Sequence, residues 1–216
     1  MFTLIKREIE DNMAMLMLAA FATLIFTSTI VYVFYNIEEY DVNRTLTGIP
    51  NAMFIVLAFY WICLALISAV FGAAQTYLDR SQKISTFLST RATTRRRILS
   101  AKIIAGLLLI LLSLMPFIAA CIILLRLYPP VVLDTTFIVK ILTTMVLSSL
   151  TCYTLGLQMG WQPNKSTAIL GSLLFTPVLL SVIIIKGFGF QSDFVLALFA
   201  IAMLVRTWQR FMSTAL

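Results

Sequence analysis

Apolar stretches, each about as long as a helix needs to cross a bilayer, recur along this chain from one end to the other. A membrane-spanning helix takes about 20 mostly apolar residues. Stretches of that kind run approximately from Met13 to Asn36, Pro50 to Gln75, Ile98 to Leu125, Thr136 to Gly160, Thr167 to Lys186 and Phe194 to Trp208. Of the 216 residues, 61% are hydrophobic and only 12% are charged, more apolar surface than one water-soluble domain can bury. In lipid, every backbone polar group must be satisfied within the protein, and a run of this length does so as a helix. The expected fold is therefore an all-α integral membrane protein, a single domain over residues 1–216 with six transmembrane helices. The first stretch is too long for a signal-peptide core and leads into no cleavage site, so it is expected to be a permanent span.

Turn chemistry and charge mark the breaks: Glu38 to Gly48, Asp79 to Arg97, Tyr128-Pro129-Pro130, Gln162-Pro163-Asn164-Lys165 and Gly187-Phe188-Gly189. Between Gly187 and Asp193 a short hairpin and a re-entrant bend both fit, which leaves five spans as the alternative to six. Cytoplasmic loops retain Lys and Arg, whereas translocated loops are depleted of them. With six spans, one side carries Lys6, Arg7, Arg80, Lys83, Arg91, Arg95, Arg96, Arg97, Lys102, Lys165, Arg206 and Arg210. The other side has Arg44, Arg126, Lys140 and Lys186, outnumbered there by the acids Glu38, Glu39, Asp41, Asp134 and Asp193. Both termini are thus expected in the cytoplasm, and the short loops suit a bacterial inner membrane.

Two segments outside the spans carry amphipathic patterns. At the N-terminus, Phe2, Ile5, Ile9 and Met13 share one helical face, with Thr3, Lys6, Arg7 and Glu10 on the other, as an interfacial helix requires. Between the second and third spans, Ile84, Phe87 and Leu88 fall at helical spacing among Lys83, Ser85, Thr86 and Ser89. That pattern predicts a short helix on the cytoplasmic surface, with Asp79 and Ser81 as N-cap candidates and Arg95, Arg96 and Arg97 beyond its far end, near lipid phosphates. The plainer account of the basic stretch is a topology signal with attraction to anionic lipid.

This order of elements resembles the membrane subunits of ATP-binding-cassette exporters of the second class, which move drugs, polysaccharides, lipids or haem. The resemblance covers nearly the whole chain. In that family an amphipathic N-terminal helix precedes six spans. The loop between spans two and three opens with an acidic residue, continues as a short coupling helix, and ends in Arg before a Lys opening the third span. The corresponding positions look like Asp79, then residues 84–90, then Arg95-Arg96-Arg97 and Lys102. The family's usual Gly-Thr and following Glu look like Gln82, Lys83 and Ser85 here, and its usual Pro looks like Arg91. The resemblance implies that Asp79, Arg80, Lys83, Ile84, Phe87 and Leu88 contact a separate cytoplasmic ATPase, present in two copies that bind ATP and Mg. It also implies pairing with a second permease subunit, identical or similar.

What is missing fits that picture. There is no Gly-rich phosphate loop followed by Lys-Ser or Lys-Thr, so any ATP hydrolysis would belong to a partner. No ionisable residue sits near the middle of a predicted span, where ion-coupled carriers usually keep one. With no histidine and no Ser or Cys beside a visible base, no catalytic site and no bound cofactor or metal is expected. Nor is a nucleic-acid partner. The competing expectation is a membrane anchor or assembly factor that holds a peripheral protein through the same basic loop.

Within the spans, Thr144, Ser148, Cys152, Gly156 and Gly160 form a small-residue stripe at i+4 spacing that ends in a G-x-x-x-G match. Packing within one chain is the first expectation, a dimer seam the second. Pro116 and Pro177 lie mid-span, where each removes a backbone hydrogen bond. Cys63, Cys121 and Cys152 sit in apolar runs as small packing residues. Tyr60 and Trp61 lie near mid-membrane, although aromatics with polar tips favour the interfaces. Either they are buried with internal hydrogen-bond partners, or they line an amphiphile pathway between two copies.

Overall fold

The computed structural model describes residues 49–81, 95–127, 135–162, 164–187 and 189–213, together with separate positions between 6 and 32. The continuous stretches form five helices: α1 (Ile49–Ser81), α2 (Arg95–Leu127), α3 (Thr135–Met159), α4 (Lys165–Lys186) and α5 (Phe190–Ser213). No strand occurs among the described residues. Four helices contain stretches long and apolar enough to cross a membrane: Ala58–Leu78, Arg96–Met115, Val139–Met159 and Phe190–Ser213. The apolar part of α4 is shorter, Ser166–Ser181. Large apolar side chains stand exposed on the outer faces, among them Leu108, Leu111, Leu112 and Met115 on α2 and Leu174, Phe175 and Val178 on α4. In water such faces would drive association, whereas in lipid they need no cover. The fold is that of an all-helical membrane protein.

Helix α3 is the centre of the bundle and touches the other four. Its closest neighbour is α1, and the reason is small side chains on both helices. A Cβ added to Gly156 would strike the Ala69 carbonyl oxygen, one added to Gly72 the Tyr153 carbonyl oxygen, and one added to Gly160 the Thr76 hydroxyl. The backbones therefore meet directly, the arrangement that small-xxx-small patterns permit in membranes. Within α1, Ala65, Ala69 and Ala73 are fully buried at i+4 spacing. The G-x-x-x-G pair of the sequence is thus used inside one chain, against α1.

Only three residues separate α4 from α5. Gly187 takes φ 75°, a conformation that favours glycine, and its N–H closes α4 by donating to the Ile183 carbonyl at 2.7 Å. Across the turn, the Gly189 N–H donates to Ser192 Oγ at 3.2 Å, and that hydroxyl lies 2.8 Å from the Gly187 carbonyl. Ser192 so plays the part that the third helical residue plays in a capping box. Helix α4 runs unbroken through Pro177.

Three expectations shift. Helix α1 runs to Ser81, six residues past the predicted end, so Asp79 and Ser81 lie in its last turn. An N-cap needs a non-helical backbone, so Asp79 does not cap a helix in the following stretch. Arg95, Arg96 and Arg97 are the first turn of α2, not part of a preceding loop. Lys102, counted with the cytoplasmic charges, is buried, at 2% exposure. At about 1.5 Å per residue, the 33 residues of α1 span roughly 50 Å, well beyond the ~30 Å of a hydrocarbon core. The extra length can carry the residues around Asp79 out of the lipid.

Candidate functional site

The helix ends sort the charges in space. Thr76 on α1 meets Leu157 on α3, its Oγ1 3.1 Å from the Leu157 carbonyl oxygen. Ile98 and Leu99 at the start of α2 cluster with Phe211 near the end of α5, and Trp161 after α3 packs on that cluster. The Trp161 and Phe211 rings lie edge to face, centroids 6.3 Å apart. One end of the bundle therefore gathers the close of α1, α3 and α5 with the opening of α2, and brings together Arg80, Arg95, Arg96, Arg97, Arg206 and Arg210. Lys165 opens α4 five residues after Gly160, at the same end. Arg126, Lys140 and Lys186 belong to the opposite ends of their helices.

At the basic end, the two helices flanking residues 82–94 are held by one side chain. The Tyr153 hydroxyl donates to Gln75 Oε1 at 2.8 Å and lies 2.9 Å from the Lys102 carbonyl oxygen. Gln75, Lys102 and Tyr153 are all buried. The ring of Tyr153 fills the space left by Gly106 on α2 and stacks at 6.1 Å on Phe71 of α1. A polar contact with both flanks of one loop, made from the central helix, was not expected from sequence. The only hint was a tyrosine too deep for the interface.

Helix α3 also clasps α5 at three levels. The Thr144 hydroxyl donates to Asp193 Oδ1 at 2.7 Å, Thr151 Oγ1 lies 3.3 Å from the Leu196 carbonyl, and Gln158 Nε2 donates to Thr207 Oγ1 at 3.0 Å and to the Met203 carbonyl at 3.1 Å. Asp193 sits in the first turn of α5, where its charge suits the helix dipole. Interhelical hydrogen bonds in membranes are individually modest, about 0.6 kcal/mol on average. Thr207 Oγ1 keeps its own bond to the Met203 carbonyl at 2.8 Å without Gln158. Gln158→Leu is accordingly expected to lower stability by less than about 1 kcal/mol, read as a small fall in the thermal unfolding midpoint in mild detergent.

Tyr60 and Trp61 have internal partners. Tyr60 OH donates to the Ser113 carbonyl at 2.6 Å, and Trp61 Nε1 donates to Ser148 Oγ at 2.7 Å, both in a buried setting. These bonds account for polar aromatics at that depth as packing residues. At the N-terminus, the described positions from Lys6 to Tyr32 are helical, and the exposed Lys6 and Glu10 pair at 3.8 Å. Phe2, Ile5, Arg7 and Ile9 lie outside the described residues, as do Lys83, Ile84, Phe87 and Leu88 of the proposed coupling segment. Among the described residues no group of His, Cys, Asp or Glu is placed to hold a metal ion. No family model matches this chain, and neither does any curated protein or solved structure.

Proposed function

We propose that the chain is the permease subunit of an ATP-driven exporter, crossing a bacterial inner membrane six times with both termini in the cytoplasm. In this reading it pairs with an identical or similar permease and with two copies of a cytoplasmic ATP-binding-cassette ATPase, which binds ATP and Mg. The observation that carries the proposal is the grip of Tyr153 on Gln75 and on the Lys102 backbone. A force applied to residues 82–94 enters the bundle through α1 and α2, and both are tied to the central helix about two helical turns from that segment. Such a segment can act as a lever, because packed helices move as units and do not deform continuously. Ile84, Phe87 and Leu88 are the apolar contacts offered to the ATPase, with Asp79, Arg80 and Lys83 as its polar edge. The slim loops favour an amphiphilic, lipid-like cargo leaving the cytoplasm or inner leaflet.

The test is a mild-detergent pull-down of the tagged chain from its host, with mass spectrometry and an ATPase assay on the eluate. A stoichiometric ATP-binding-cassette subunit with vanadate-sensitive activity is expected. Recovery of another peripheral protein without nucleotide dependence would favour the anchor and overturn the proposal. Phe87→Asp places a charge in the docking contact and is expected to lower co-purification of the ATPase at least about tenfold, the equivalent of ~1.4 kcal/mol, with membrane insertion unchanged. Full recovery of the ATPase with that variant would refute docking through this segment.

A further inference from the structure

We infer that Arg96 and Arg97 on α2, with Arg206 and Arg210 on α5, form a binding site for the headgroup of an anionic phospholipid. The two pairs lie more than 100 residues apart in sequence, and all four side chains are exposed in the structure. Arg97 directly precedes Ile98 and Arg210 directly precedes Phe211, and Ile98 and Phe211 belong to one buried cluster. The arginines thus rim a common apolar knot. Trp161 packs on that knot and Trp208, partly exposed, stands one turn before it, side chains that favour the headgroup level of a bilayer.

Electrostatics makes an anion the fitting occupant. Cations at a helix N-terminus oppose its dipole. Helix α2 nevertheless opens on three arginines with no acidic residue in its first turn. An anion there meets the positive end of the helix dipole and several guanidinium forks at once, and so relieves the repulsion. Guanidinium binds phosphate oxygens in bidentate geometry, which an ammonium does not match. Toward the middle of the bundle the exposed surface is apolar, with Val205 beside Arg206 and Leu108 about three turns beyond Arg97, and acyl chains can rest on it. A soluble phosphate would gain nothing from that surface, so the lipid is the better occupant. The site asks nothing of an ATPase, and its failure leaves the exporter proposal untouched.

The full chain, with any subunits that accompany it, is placed in vesicles of phosphatidylcholine containing roughly one-fifth phosphatidylglycerol, extracted gently, and its retained lipid counted by native mass spectrometry. Phosphatidylglycerol is expected in several-fold excess over its bulk share. Arg96→Gln with Arg97→Gln, or Arg206→Gln with Arg210→Gln, should each remove most of that excess. Combining the two pairs should then remove little more, since one site needs both helices. Lys165→Gln, at the same end on α4, should leave the excess intact. Losses that merely follow the number of charges removed, with Lys165→Gln taking its share, would overturn the site in favour of diffuse attraction. So would an unchanged excess in both pairs. Should a pair fail to fold, the unaltered chain still decides: bromine-labelled phosphatidylglycerol should quench its tryptophan fluorescence more strongly than equally labelled phosphatidylcholine, and equal quenching refutes the site.

Discussion

Gly156→Val is expected to leave almost no folded protein, because there is no room for any side chain at that position. The first carbon of the new side chain would sit on the Ala69 carbonyl oxygen and crowd the Ala73 nitrogen, and backbone cannot swing aside as a flexible side chain can. Gly156→Ala tests the same point more gently. Alanine gains up to about 1 kcal/mol of helix propensity over glycine, whereas forcing atoms into a packed seam costs about 1–3 kcal/mol. The clash should win, and the thermal midpoint should fall. Gly171→Ala is the control, since its Cβ would meet only the Met159 side chain, with Sδ 3.3 Å away. That substitution should be neutral or slightly stabilising. Equal behaviour of the two alanine variants would mean that the α1 and α3 backbones do not meet at Gly156.

Tyr153→Ala is the second large effect. It empties a volume between α1, α2 and α3 and removes the hydroxyl that meets Gln75 and the Lys102 carbonyl, for a cost of about 3–5 kcal/mol. Tyr153→Phe keeps the volume and should cost only about 1 kcal/mol. A second substitution makes the test specific. In the native chain Gly106→Ala drives a Cβ into the Tyr153 ring, which is hemmed in by Phe71 and cannot yield. In the Tyr153→Ala background the same change should turn harmless or favourable. The two effects should therefore fail to add by more than about 1 kcal/mol, as contacting residues do. Simple additivity in detergent unfolding would show that residues 106 and 153 do not touch.

The helices were legible in the sequence because lipid permits few alternatives, and predicted stretches such as Thr136 to Gly160 match α3 to within a residue or two. The ends were less so. Tyr77 and Leu78 continue α1 beyond Gln75, and a charge such as Asp79 does not stop a helix that has already left the hydrocarbon. The small stripe on α3 was found, but not its division of labour. A strict i+4 row turns around the helix by about 40° per step, so its members face different neighbours. Ser148 and Gly156 meet α1, whereas Thr144 meets α5 together with Thr151 and Gln158, which follow at sevenfold spacing. The partner row Ala65, Ala69 and Ala73 gave no signal of its own, because alanine in an apolar helix is unremarkable until a glycine is found opposite. Of the proposed docking segment, sequence gave the apolar spacing of Ile84, Phe87 and Leu88. It could not give the tie through Tyr153, which depends on three helices meeting.

The seam between α1 and α3 also sets a timetable for synthesis. Thr76 and the Leu157 carbonyl it reaches are 81 residues apart in the chain. At about 5–20 residues per second, the first helix waits for seconds before its counterpart is made. During that interval Ser68, Gly72, Gln75 and Thr76, all buried in the finished bundle, are without the α3 surface that covers them there. A nascent chain stalled between the two helices would display this polar face within the bilayer, the kind of signal by which a membrane protease can tell an orphan from a finished protein.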